Sequence, residues 1–338
     1  MSGGVDSSLA AALLKQAGYE VSGIHMQLWS DPNIECTMSD LEHTCQLLDI
    51  PLYKLDLERE FRSLVIDYFC LEYSLGRTPN PCIVCNQHIK FGLLLDRALE
   101  VGAEYLATGH YARVERSADG YRLLKAADLG KDQSYFLYTL GQGQLKHLLL
   151  PLSELSKEKV RRLAAELGLP TSSRRDSQDV CFIPDNDYRS FVAEHIPLQP
   201  GDIVDITGKV LGKHGSLAQY TVGQRHGLRL ASGGQLYVLR LDAASNRLVV
   251  GTKDQLLHNG LIASRLSWVS GEAPREPISV TAKVRYKAPE VAAELYSSNG
   301  TAEVRFVEPQ PAIAPGQSVV FYQGDAVLGG GIIDAVLC

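Results

Sequence analysis

Apolar residues in the first half of the chain follow two alternating patterns. Leu9, Ala12, Leu13 and Ala17 fall on one helical face, which predicts a helix over 5–18 with Gly18 as its stop. The run VSGIHMQLW (21–29) reads as a buried strand. The alternation continues with a helix over 41–48, a strand in PLYKLDL, helices over 58–75 and 86–101, and a short strand over 104–109. This rhythm predicts a parallel sheet covered by helices. A hairpin over 113–125 interrupts it, turning at 117–120 where Asp-Gly supplies the bend. Two more helix patterns lie within 132–168, the second over 156–167. Beyond about Pro197 helical periodicity fades. GDIVDITG, GQLYVLRLD, RLVVG, ISVTAKVRY, TAEVRFV and SVVFY alternate with turn residues, the texture of small β barrels or sandwiches. Boundaries are expected near 190–200 and 251–259.

Composition narrows the class. A chain of 338 residues is long enough for about two or three domains. Hydrophobic residues at 45% and charged residues at 21% exclude wholesale disorder. The net charge of −6 excludes a generally basic nucleic-acid coat but leaves room for a local basic groove. No apolar run approaches the ~18 residues of a membrane span. MSGGVDSSLAAALLK has no basic leader before an apolar run, so no signal peptide is expected. Seven cysteines are too few, and too odd, for a disulfide scaffold; the expected setting is a reducing cytoplasm with a few reactive or metal-binding thiols.

The sharpest chemistry stands at the front. Ser2-Gly3-Gly4-Val5-Asp6-Ser7-Ser8 opens a helix. Small residues let backbone approach an anion, and the helix start adds partial positive charge. The hydroxyls of Ser2, Ser7 and Ser8 can donate to phosphate oxygens, and Asp6 can hold a magnesium ion or a water. The loop is not GxxxxGK[ST], so it is not an ordinary P-loop. The bland alternative is a helix cap with no ligand.

The thiols come next. In GRTPNPCIVCN (76–86) two prolines force extended backbone ahead of a helix, which places Cys82 and Cys85 near a helix N-terminus. There a thiolate is favoured and the thiol pKa is expected to fall, with His88 and Lys90 within the next turn or so. Cys181, in DSQDVCFI, joins them only if the fold brings them together. Cys45 and Cys70 lie in amphipathic patterns and read as core; Cys36 is ambiguous and Cys338 incidental. Half a zinc site, completed by His110 and Cys181, is the other reading of Cys82 and Cys85, although no second C-x2-C exists.

SGGVDSS resembles the loop of PP-loop ATP pyrophosphatases. With GRTPNPCIVCN, IKFG, ATGHYAR, KDQSYFL, DSQDVCFI, TVGQRHGL, KVRY, PGQSVVFY and LGGGII, nearly the whole chain resembles the tRNA-specific 2-thiouridylases, enzymes that replace O2 of the wobble uridine (position 34) with sulfur. The resemblance implies an α/β fold: a Rossmann-like PP-loop catalytic domain over 1–192, a small β-rich domain over 193–256, and a tRNA-contacting β-barrel over 257–338. It implies that Ser2, Gly3, Gly4, Val5, Asp6, Ser7, Ser8, Met26 and Gly109 contact ATP. Cys85 matches the nucleophile and Cys181 the thiol that carries a persulfide. Asn80, Pro81 and Cys82 fall where the target base is recognised. His110, Lys131, Asp132, Gln133, Arg285, Tyr286 and Gln317 fall at tRNA contacts. ATP, Mg2+, tRNA and a sulfur-donor protein of a cysteine desulfurase relay are the implied cofactors and partners, acting on a monomer. In such folds a buried strand precedes the loop. This sequence opens on the loop, so an upstream strand is the expected completion of the sheet.

One residue departs from the family pattern: many relatives carry Asp, a candidate acid/base, where Cys82 stands. With Cys85 and Cys181 it makes a three-thiol set of the kind that ligates an iron–sulfur cluster in a related class of tRNA thiolases.

Against a net charge of −6, Arg161-Arg162, Arg174-Arg175, Arg225-His226 and a Lys283/Arg285/Lys287 ridge on one strand face are the expected phosphate contacts. Two other functions compete. Another PP-loop adenylating enzyme acting on a small molecule explains the loop but neither the thiols nor the β-rich half. A non-enzymatic tRNA-binding protein would need only a degenerate ATP site.

Overall fold

The helix expected behind the glycine loop spans Val5–Gln16, and Gly18 ends it with a positive φ of 88°. The computed structural model describes residues 1–29, 34–174, 180–183, 187–228, 230 and 234–337. In the first part the strands are β1 (Gly23–Gln27), β2 (Leu52–Asp56), β3 (Leu106–Ala107), β4 (Ala112–Ser117), β5 (Gly120–Lys125) and β6 (Leu148–Leu149). β1 pairs in parallel with β2, and β3 in parallel with β6, as two separate two-stranded sheets. The parallel pairing agrees with the sequence reading. Among the described residues nothing bridges β1 and β3, and Ile24, Met26, Leu106 and Ala107 line a cavity between them.

Two helical runs carry π-helical segments. The first is Glu58–Phe61, a π-turn at Arg62–Ile66, then Asp67–Ser74. The second is Pro81–Val84, a nine-residue π-helix at Cys85–Leu93, then Leu94–Glu100. Such i→i+5 segments are rare and gather at functional sites.

The middle sheet comprises β7 (Gly201–Val204), β8 (Val210–His214), β9 (Tyr237–Asp242) and β10 (Arg247–Gly251), ordered β8-β7-β10-β9 over Ile203, Val238, Leu248 and Val250. The last part holds β11 (Leu257–Trp268), β12 (Ile278–Lys283), β13 (Val291–Ser298), β14 (Thr301–Pro311), β15 (Ser318–Gln323) and β16 (Ala326–Leu337). Their order β11-β14-β13-β12-β15-β16 closes through antiparallel β11–β16 pairing into a six-stranded barrel. Closure leaves no free edge, and inward Val280, Leu295, Val304, Val319, Phe321 and Ile333 fill the interior.

The barrel is tied to the first part in two ways. The β4–β5 hairpin adds to its wall, with Leu123 opposite Val327 and Leu124 opposite Ala326. Tyr135 and Tyr138 share a core with Val320, Tyr322 and Val327. The segment leading to Cys82 is also gripped. Thr78 N donates to the Pro315 carbonyl (2.8 Å), and Gln317 Nε2 donates to the Thr78 and Pro79 carbonyls (2.9 and 3.3 Å). Arg77 bridges buried Glu72 (2.8 Å) and Asp334 (3.0 Å). Gly316 is required here: its φ is 91°, and a Cβ would lie 2.8 Å from Thr78 N.

Candidate active site

The glycine loop owes its shape to its own hydroxyls. Gly3 takes a φ of 74°, and Gly4 caps the helix without a side chain. Ser7 Oγ and Ser8 Oγ both donate to the Gly4 carbonyl at 3.1 Å, and Ser2 N donates to Ser7 Oγ at 3.2 Å. Ser8 is fully buried, so it braces the loop instead of facing a ligand. Ser2, Gly4, Val5, Asp6 and Ser7 line the cavity; Gly3 and Ser8 do not. The helix start leaves backbone N–H groups without partners inside the helix, aimed at that cavity.

Asp6 is the loop's anchor. Lys157 Nζ donates to both of its oxygens at 2.7 Å, and Tyr111 Oη donates to one at 2.8 Å. Gly109 packs on the loop so closely that a Cβ would lie 2.7 Å from Asp6 C. Arg174 donates to the Gly3 carbonyl (3.1 Å) and pairs with Asp40 (2.6 Å). Arg161 in turn holds the Ser172 and Arg174 carbonyls (3.3 and 2.9 Å). These two arginines, expected to meet phosphate on tRNA, are instead spent on the protein's own backbone. Arg162 alone of that pair is exposed, facing Glu166.

The cavity, about 2180 Å³, runs from the loop past Met26 and Asn80 to the thiols of Cys82, Cys85 and Cys181. The loop and the two distant sulfurs therefore face one space. All three thiols are free. Their protonation reverses the sequence expectation. Burial pushes Cys82 and Cys85 above the usual thiol range, with Lys90 pulling them only partly back. Cys181 is exposed to the cavity, yet the protein mass around it and the two neighbouring sulfurs push its thiol up to about 12. His88 is exposed and does not approach the thiols' cavity. Desolvation outweighs the helix end because Cys85 is buried. Cys45 and Cys70 are buried, as their spacing predicts. The side chain of Cys36, Arg175, residues 176–179 of the Cys181 motif and Cys338 lie outside the described residues.

The other expected contacts divide. Asn80 lines the cavity and Pro81 starts the helix. His110 also lines it, with Nδ1 2.8 Å from Thr108 Oγ1 and Phe91 against its ring; burial holds it neutral, its pKa well below 6.5. Lys131 and Gln133 line the cavity, and Gln133 Oε1 also accepts from Tyr111 N. Asp132 lines it too, but its carboxylate is engaged: its oxygens accept from Ala126 N, Ser134 N and Ser134 Oγ. The strand-face ridge is not formed, because β12 ends at Lys283 and 284–287 turn away. In that turn Tyr286 packs on Phe136, their ring centroids 4.3 Å apart, with Lys283 and Lys287 on the cavity and Arg285 exposed outside it. Among the described residues no three Cys, His, Asp or Glu side chains stand at metal-holding spacing, so the thiols fit neither an iron–sulfur cluster nor the zinc site.

Family models match this chain over residues 1–185 (tRNA methyl transferase HUP domain), 189–252 (tRNA methyl transferase PRC-barrel domain) and 258–333 (Aminomethyltransferase beta-barrel domain). The tRNA-specific 2-thiouridylase MnmA of Geotalea uraniireducens is 48% identical, covering 99% of this chain and 93% of its own. That of Clostridium perfringens is 45% identical, covering 100% and 98%. The chain belongs to the tRNA-specific 2-thiouridylase family. A solved NMN synthetase from Francisella tularensis is similar at 19% identity and a TM-score of 0.32 over 52% of this chain and 63% of that one, too slight a likeness to bear on the fold.

In this 2-thiouridylase family member the sequence reading missed Lys157 and Tyr111. Lys157 opens the Lys157–Glu166 helix behind a Ser156 cap. Its position as a solvated first-turn lysine hides its role, which depends on that helix docking against Val5–Gln16. Tyr111 lay within the ATGHYAR stretch but carried no local mark of its bond to Asp6.

Proposed function

We propose that this protein carries out ATP-dependent 2-thiolation of the wobble uridine of tRNA, as a tRNA-uridine 2-sulfurtransferase. One observation carries the reading: the glycine loop and the thiols of Cys85 and Cys181 line the same cavity. ATP lies with its phosphates on the loop N–H groups and the hydroxyls of Ser2 and Ser7, and its base toward Met26. Asp6, the loop's cavity-facing carboxylate, would hold Mg2+ only by giving up its pairing with Lys157; when bound, the ion would supply charge neutralisation at the phosphates.

The uridine enters beside Asn80 and Cys82, its cost of unstacking lowered by the single-stranded anticodon loop. Uracil O2 attacks the α-phosphorus, and the bond to pyrophosphate breaks. A carbonyl oxygen that leaves poorly becomes AMP, which leaves well. The outer sulfur of a Cys181 persulfide attacks C2, and the C–O bond breaks with release of AMP. Cys85 thiolate then attacks the Cys181 sulfur, which forms a Cys85–Cys181 disulfide and frees the 2-thiouridine. An external thiol reduces that disulfide, and a sulfur-donor protein restores the persulfide. A reducing cytoplasm suits this cycle. The barrel over 257–338, with Lys283 and Lys287 at the cavity, presents positive charge to the RNA backbone.

Pyrophosphate release separates this reading from its rivals. Release that requires unmodified tRNA supports it. Release with a small metabolite and no tRNA would move the protein to another adenylating class, and no release at all would leave a tRNA-binding protein.

A further inference from the structure

Lys90 occupies a position that the reading above leaves without a task. It lines the cavity together with Cys82, Cys85, Cys181 and His110. Its register follows from the π-helix Cys85–Leu93. In an α-helix residues five apart are rotated by about 140°, which would turn Lys90 away from Cys85. In an i→i+5 helix the wider turn cuts that offset to about 50°, which keeps Lys90 near the face that carries Cys85. The unusual helix thus keeps the ammonium on the cavity that the thiol lines.

Among the described residues that ammonium is uncompensated. Lys90 has no hydrogen bond or ion pair among the described residues. Each carboxylate on the cavity wall is engaged or remote. Asp6 is held by Lys157 and Tyr111, Asp132 by Ser134 and two backbone amides, and Glu100 pairs with Arg97. Glu20 and Glu104 are exposed. The groups that feel its charge are Cys82, Cys85, Cys181, His110 and the Met1 ammonium. Three of these become anionic when they ionise and the other two become cationic, so a lone lysine here selectively favours charge on sulfur.

We propose that Lys90 is the counter-cation of this cleft, stabilising anionic sulfur on Cys85 and Cys181 by charge across the cavity. The step it assists is simple: the S–H bond breaks, the proton leaves to water, and the electron pair stays on sulfur. The purpose of that charge rests on the thiolation reading; its test does not.

The test is site-resolved alkylation of the full chain by iodoacetamide across about pH 6 to 10, read by mass spectrometry of the digest. Sulfur forms the new S–C bond and iodide leaves. Wild type is compared with Lys90→Gln and Lys90→Arg, with Lys90→Met as the second uncharged variant should the glutamine not fold. Removing a nearby cation raises a thiol pKa by about one unit or more. The thiolate fraction then falls about tenfold, partly offset by greater intrinsic nucleophilicity, so the rate falls roughly threefold near neutrality. That fall is expected at Cys85 and Cys181, is reversed by Lys90→Arg, and is absent at Cys45 and Cys70. Unchanged rates in the uncharged variants, an equal change at Cys45 and Cys70, or failure of arginine to restore them would overturn the assignment. Wild type that alkylates as expected but never thiolates tRNA keeps the Lys90 assignment and loses the thiolation reading; a flat profile with intact thiolation loses Lys90 alone.

Discussion

At the scale of single residues, the proposed mechanism gives the two sulfurs separable roles. Cys85→Ser is expected to keep tRNA-dependent pyrophosphate release while 2-thiouridine falls below detection, because adenylation precedes sulfur transfer. Loss of both signals together would place Cys85 in nucleotide or base binding instead. His110 gives a pH prediction. Its folded pKa lies well below the ordinary 6.5, so below that pH the unfolded chain takes up a proton that the folded chain refuses. Stability then falls as pH drops below about 6.5. Lowered values at His25, His214 and His258 push the same way. His110→Gln should therefore flatten, without abolishing, the decline in urea midpoint between about pH 6.5 and 5; an unchanged slope would mean that His110 titrates normally. Cys85, Cys181 and the serine loop could be singled out from the sequence because their motifs are local, and the structure sets them on one cavity. The upward push on the thiols was not legible in the sequence, since burial is a property of the whole cavity and no run of residues around Cys82 records it.

At the scale of elements, the loop depends on what packs behind it. A methyl at position 109 would meet the backbone of Asp6 and Ser7 at 2.7 and 2.9 Å. Gly109→Ala should raise the KM for ATP roughly tenfold, as the loop shifts to relieve about 1–2 kcal/mol of overpacking, and should lower the melting temperature by a few degrees. An unchanged KM would show that the loop yields at no cost. Elements with a local code matched their sequence expectation: the 5–18 helix by its apolar spacing, the hairpin by Asp119-Gly120, the barrel strands by alternation. Others did not. The π-helical geometry at Cys85–Leu93 has no sequence period to announce it. The basic ridge failed because alternation at 283–287 looks like a strand, whereas Tyr286 there packs on Phe136.

At the scale of the molecule, the barrel is a clamp on the segment that leads to Cys82. Glu72 is buried and joins Arg77, which reaches Asp334, to the half-exposed Arg265. Glu72→Ala leaves Arg77 without its best partner and should cost about 2 kcal/mol in urea unfolding; Arg265, screened by solvent, adds little. The same change should lower thiolation more than ATP binding, because the strap at 76–80 leads to Cys82 and not to the loop. A fall in ATP affinity of equal size would contradict a clamp confined to that strap. The central claim is that one cavity joins nucleotide activation to sulfur transfer. Its most direct test is mass spectrometry of unmodified tRNA after incubation with the protein, ATP, a persulfide donor such as cysteine persulfide, and a reducing thiol. We expect 2-thiouridine at the wobble position, dependent on ATP and absent with Cys181→Ser. Thiolation that proceeds without ATP or survives that substitution, or tRNA left unmodified while pyrophosphate is released, would contradict it.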